Sequence, residues 1–90
     1  MEEYLTFGEA IEAMKRGKKV KRDGWNGKGM FLYVVPANTY ITETDVAKSE
    51  FGREVACGSY IAMKPANGPI VIGWLASQTD MLSEDWTVVV

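Results

Sequence analysis

The stretch Gly73–Trp86, GWLASQTDMLSEDW, sets Ser77, Gln78, Thr79 and Asp80 between two tryptophans. Hydroxyls, an amide and one carboxylate are good hydrogen-bonding groups, but none is a strong base or nucleophile unaided. Ser77-x-x-Asp80 has the spacing of a capping box, which makes it a helix start. A functional reading is compatible with that one. A capped helix N-terminus presents free amides to an anion, and Gln78 and Thr79 add donors and acceptors. Asp80 would repel a phosphate, so toward a ligand it would meet ribose hydroxyls or a base amino group. Trp74 and Trp86 read first as core, because a small domain packs its largest apolar side chains.

A second constellation is DGWNGKGM, Asp23 to Met30. Trp25 lies between two turn signals. It either packs into the core or stacks on a flat ligand, with Lys28 and the glycine amides lining the polar side. The spacing is neither that of a Walker loop nor that of a dinucleotide fingerprint.

The missing residues exclude more chemistry than the present ones supply. With no histidine, a Ser-His-Asp triad, a Cys-His pair and the usual zinc sites are all absent. Cys57 is the one cysteine, so it has no internal disulfide partner and no histidine to activate it. Glu84 and Asp85 are adjacent and point in different directions, which argues against a shared acid–base site. Glu43, Asp45, Glu50 and Glu54 read as solvated charges. Stacking rings, amides, hydroxyls and a few charges suit holding a ligand better than breaking one. The expectation is a non-enzyme without cofactor or metal.

These groups need elements to position them. Thr6 and Glu9 form a capping box, Phe7, Ala10, Ile11 and Met14 share one helical face, and Gly17 is a left-handed stop. A helix over about 7–16 follows. KKVKR at 18–22 and MFLYVVP at 30–36 read as strands, the second central and covered on both faces. TYIT reads as a short strand, and ETDVAKSEFGREVACG as a loop with room for a helical turn. YIAMK (60–64) and IVIGW (70–74) form a hairpin across Asn67-Gly68. A short helical turn at about 78–83 and a last strand, WTVVV, close the chain. The valines of that strand suggest burial on both faces, with another subunit as one way to cover it. The fold class is α+β: an N-terminal helix packed on a mostly antiparallel sheet, in a single domain over 1–90.

Ninety residues bury only about 60–65% of their unfolded surface. Without disulfide or zinc, oligomerisation is the remaining source of stability. The net charge is −2 and no reader motif is present, so nucleic acid is not an expected partner. Lys15, Arg16, Lys18, Lys19, Lys21 and Arg22 cluster. They form either a solvated face or a patch for a phosphate-bearing ligand. A free cysteine, the lack of a signal-peptide pattern and the lack of a run of about 20 apolar residues point to a soluble cytoplasmic protein, away from membranes.

The segments LTFGEAIEAMKRGKKVKRDGWNGKGMFLYVVP and WLASQTDMLSEDWTVV closely resemble the second Thoeris anti-defence family of phages. The region 38–58 does not contribute to the likeness. The resemblance implies a sponge in the infected bacterial cell. It would sequester cyclic ADP-ribose isomers, the immune signal that activates the Thoeris effector, without cleaving them. It also implies a homotetramer with ligand between protomers and, in some members, cyclic dinucleotides at separate sites. The positions it carries over are Trp25, Asn26, Lys28 and Met30, then Trp74, Ser77, Gln78, Thr79 and Asp80. The chemistry suggests Trp25 for stacking on adenine, Lys28 or the helix amides for pyrophosphate, and Asp80 or Asn26 for ribose. Two competing readings are a small phosphodiesterase or glycohydrolase acting on the same signal, and a virion or adaptor module that binds protein through the valine run.

Overall fold

The computed structural model describes residues 3–25 and 27–90. The first element is α1, Phe7–Lys15. Its capping box forms as the sequence predicts: the Glu9 amide donates to Thr6 Oγ1 at 3.2 Å and the Thr6 amide to Glu9 Oε1 at 2.9 Å. The helix stops where Gly17 turns to φ 86°. The Gly17 amide donates to the Met14 carbonyl and the Lys18 amide to that of Ala13, a Schellman closure.

Strands β1 (Lys19–Arg22), β2 (Phe31–Val35), β5 (Tyr60–Lys64), β6 (Val71–Ile72) and β7 (Trp86–Val89) form an antiparallel sheet in the order β6-β5-β2-β1-β7. The fold is α+β, as expected. α1 packs on β1, β2 and β7. Ala10, Ala13 and Met14 of the helix meet Val20, Leu32 and Trp86 of the sheet in the core. Phe7 and Ile11 pack half-buried against it, completing the predicted helical face.

Three details differ from the sequence reading. β2 is central, but only Leu32 is fully buried; its neighbours in the strand are half-buried because α1 covers one face. β7 is an edge strand, with Val88 39% exposed and Val90 fully exposed, so the valines are not covered on both faces within the chain. The predicted 70–74 strand pairs only at Val71 and Ile72. Gly73, at φ 81°, then turns the chain, and the Gly73 and Trp74 amides both donate to the Ile61 carbonyl.

The largest correction concerns 38–58. The expected short strand is present as β3 (Asn38–Ile41), but in place of a loop the chain forms α2 (Asp45–Phe51) and β4 (Glu54–Cys57), with β3 and β4 paired as a separate two-stranded sheet. Thr44 caps α2 by accepting from the Ala47 amide, and Gly52 ends it at φ 80°. Inside this excursion Thr42 is buried; its amide donates to the Arg53 carbonyl and its hydroxyl to that of Gly52. Ile41, Val46 and Phe51 stay 66%, 75% and 59% exposed. A helix that buries no stripe has no hydrophobic period to read. The molecule is accordingly long, 51 × 25 × 25 Å, with a radius of gyration of 15.7 Å. A compact chain of this length would have about 12 Å.

Candidate functional site

At the end of β1 the chain turns through Asp23-Gly24-Trp25. The Trp25 amide donates to the Arg22 carbonyl, and the Asp23 amide to the carbonyl of Asp85. The turn presents Trp25 to Trp74 and Trp86 at ring separations of 6.2 and 5.4 Å, both edge-to-face. Trp74 and Trp86 meet each other the same way at 6.3 Å. Only Trp86 is fully buried; Trp25 and Trp74 pack against the core and keep accessible surface. Trp86 is core, as the sequence reading has it. Trp25 and Trp74 are a matched pair, each half core and half surface.

Helix α3, Gln78–Leu82, starts beside this cluster. Its predicted capping box is present: the Asp80 amide donates to Ser77 Oγ at 3.0 Å, and the Ser77 amide to Asp80 Oδ2 at 3.1 Å. Trp86 Nε1 donates to the Asp80 carbonyl at 3.0 Å, which fastens the first turn to the core. Gln78 and Thr79 are exposed.

The residue that sequence reasoning missed is Arg22. Within the basic cluster it read as a solvated charge or part of a phosphate patch, yet its side chain is only 15% exposed. Arg22 Nη1 donates to Asp80 Oδ1 and Nε to Asp85 Oδ1, both at 2.9 Å. Asp85 in turn accepts from the Gly24 amide at 2.9 Å. The other basic residues of the run remain at the surface, with Lys21 half-buried. Arginine and its two acids stand 58 and 63 positions apart, beyond what local pattern can pair.

The charges are settled by these bonds. Burial pushes the Asp80 carboxyl up, but the Ser77 amide and the Arg22 guanidinium outweigh it and hold the acid below its ordinary value. Arg22 likewise lowers Asp85, against burial and with help from the Gly24 amide. Arg22 itself is raised, chiefly by Asp85 and against desolvation. Neither acid is poised to carry a proton near neutrality, because general acid–base work needs a pKa near the working pH.

The structure thus brings Trp25, Trp74, Ser77 and Asp80 together, with Gln78 and Thr79 at the rim. Lys28 and Met30 sit on the next turn, whose ties run to the β5–β6 hairpin. The Met30 sulfur fills the space beside Gly27, near Ala66, and Lys64 Nζ donates to the Gly29 carbonyl at 3.3 Å. Lys28 is exposed. Asn26 lies outside the described residues. Cys57 is exposed on β4, away from the cluster. Among the described residues no group of three or more His, Cys, Asp or Glu side chains could hold a metal ion. A groove of about 720 Å³ lies elsewhere, between α1 and the edge of β7, where Leu5, Glu12, Arg16 and Val88 line it. With Trp25 and Trp74 half-buried and Gln78 and Thr79 exposed, the tryptophan–α3 cluster of a single chain presents a surface patch.

Residues 5–89 match the Thoeris anti-defense 2-like domain. The chain is also 39% identical, over 89 residues and 99% of each sequence, to Thoeris anti-defense 2 of Bacillus phage SP01. Agreement across both motif blocks and the intervening excursion places this chain in the Thoeris anti-defense 2-like family.

Proposed function

We propose that this protein is a phage anti-defence sponge that binds cyclic ADP-ribose isomers and withholds them from the Thoeris effector without cleaving them. The observation that carries the reading is the patch formed by Trp25, Trp74 and the start of α3, which holds the motif residues of a Thoeris anti-defence family and offers binding groups only. Trp25 or Trp74 stacks on adenine through its accessible surface. Gln78 and Thr79 reach ribose hydroxyls. Lys28 meets the pyrophosphate in preference to the α3 amides, because the Asp80 carboxylate already stands at that helix end. Asp80 has one oxygen on Arg22 and one on Ser77, so any ribose contact uses lone pairs those bonds leave over.

Non-cleavage is supported by the state of the acids. Asp80 and Asp85 are tied to Arg22 and to main-chain amides, and the sequence has no histidine. The open shape of the patch favours a ligand enclosed between protomers, consistent with a homotetramer in the host cytoplasm. A preformed interface pocket would lower the ordering cost of tight binding. Cyclic dinucleotides at a separate site are a further extension of the same reading.

A thermal-shift panel of cyclic ADP-ribose isomers and cyclic dinucleotides tests this. A ligand at about 100 times its dissociation constant stabilises by about 2.7 kcal/mol, several degrees for a domain of this size. Stabilisation by a cyclic ADP-ribose isomer supports the proposal. No response from any isomer at millimolar concentration contradicts it.

A further inference from the structure

Between the Asp23–Trp25 turn and the start of α3 there is an unbroken run of short hydrogen bonds. It passes from the Gly24 amide to Asp85, from Asp85 to Arg22, from Arg22 to Asp80, and from Asp80 to the Ser77 amide. Each carboxylate serves one main-chain amide and one guanidinium nitrogen, so all four acceptor oxygens are used. The Arg22 and Asp80 side chains are 15% and 14% exposed and that of Asp85 is 30% exposed, which limits competition from water. The turn also fits closely around the acid. A Cβ on Gly24 would stand 2.9 Å from Asp85 Oδ2 and 3.4 Å from Arg22 Nη2.

We infer that Arg22 is a positioning residue that fixes Trp25 against the Ser77–Asp80 helix start, so that the two sequence blocks form one prearranged binding surface. Its effect on affinity rests on the nucleotide-binding reading above; the clamp itself rests on the geometry. The Asp23 amide also donates to the Asp85 carbonyl, and the Trp25 side chain helps hold Asp80 in its charged form, but Arg22 is the side chain that bonds both acids. The tryptophan ring contacts join the apolar sides of the two blocks. A planar guanidinium meets two acids along fixed directions, whereas a lysine ammonium is a single flexible charge. A lysine would keep the charge balance and lose the alignment. The inference therefore predicts a variant that folds, pairs its charges and still binds poorly.

The test uses the full chain carrying Arg22→Lys, with Asp85→Asn as the second variant should the first fail to fold. Amide hydrogen exchange is followed at Gly24 and Ser77, with the β2 amides as internal reference. Cyclic ADP-ribose is titrated in parallel by tryptophan fluorescence. The expected result is exchange at least tenfold faster at both amides, no change in β2, and a dissociation constant raised at least tenfold. Unchanged exchange at Gly24 and Ser77 overturns the inference. So does faster exchange with a dissociation constant within twofold of the parent. If the parent protein binds no cyclic ADP-ribose, the sequestration reading fails for this ligand and the exchange arm alone decides: joint loss of protection upholds the clamp, and retention overturns it.

Discussion

Trp86 Nε1 donates to the Asp80 carbonyl at 3.0 Å, so a fully buried core side chain also holds the first turn of α3 in place. Core and candidate site share this contact, and variants near it should separate by whether they remove packing or remove ligand-facing surface.

Trp86→Ala should cost about 3–5 kcal/mol, as large aromatic truncations do in cores. A 90-residue domain is stable by only about 5–13 kcal/mol, so this variant should be largely unfolded on modest warming. Chemical denaturation followed by circular dichroism measures it.

Trp25→Ala should behave differently. It loses edge contacts worth roughly 1–3 kcal/mol with Trp74 and Trp86, so stability falls, but less than for Trp86→Ala. If the ring stacks on a base, affinity drops about 5- to 150-fold, from a stacking contribution of about 1–3 kcal/mol. Calorimetric titration of the folded variant checks the second effect. Stability losses equal to those of Trp86→Ala would make Trp25 plain core.

Thr6→Ala should cost about 1 kcal/mol by removing the acceptor for the Glu9 amide. The melting temperature should fall by about 4–8 °C, with ligand affinity unchanged, since the helix start it caps meets the cluster at the buried Trp86, through Phe7, and supplies none of the proposed ligand-facing side chains.

Acidification tests the Arg22 pairs. Asp80 and Asp85 have folded-state pKa values below those of the unfolded chain, so the unfolded state binds more protons in the titration range. Their contribution is fully present above the unfolded value, about 3.9, and is lost as pH falls through the lower folded values. Stability should therefore decline below about pH 4. The decline should be shallower in Asp85→Asn, which has one depressed acid fewer. A parallel decline in both proteins would contradict the assignment.

Much of the fold could be read from the sequence because its signals were local. Thr6, Glu9 and Gly17 bracket α1, Asn67-Gly68 marks the hairpin, and Ser77 with Asp80 opens α3. The excursion 38–58 was not legible as an element pair, since α2 buries nothing and leaves no period. Its caps, Thr44 and Gly52, were the available signal. At the site, sequence types were enough to propose Trp25 and the Ser77–Asp80 cluster. They could not reveal that Arg22 joins them, because charge pairing across 58 residues depends on the β1–β7 register that sets Arg22 opposite Trp86. Asp85 was invisible for the same reason.

The central claim is sequestration without cleavage, and recovery of the ligand tests it most directly. A cyclic ADP-ribose isomer that stabilises the protein is incubated with it, the protein is denatured, and the small molecule is analysed by mass spectrometry. Intact ligand returned in proportion to the protein present agrees with a sponge. Conversion to product, above all with protein well below ligand concentration, contradicts it and marks the protein as an enzyme.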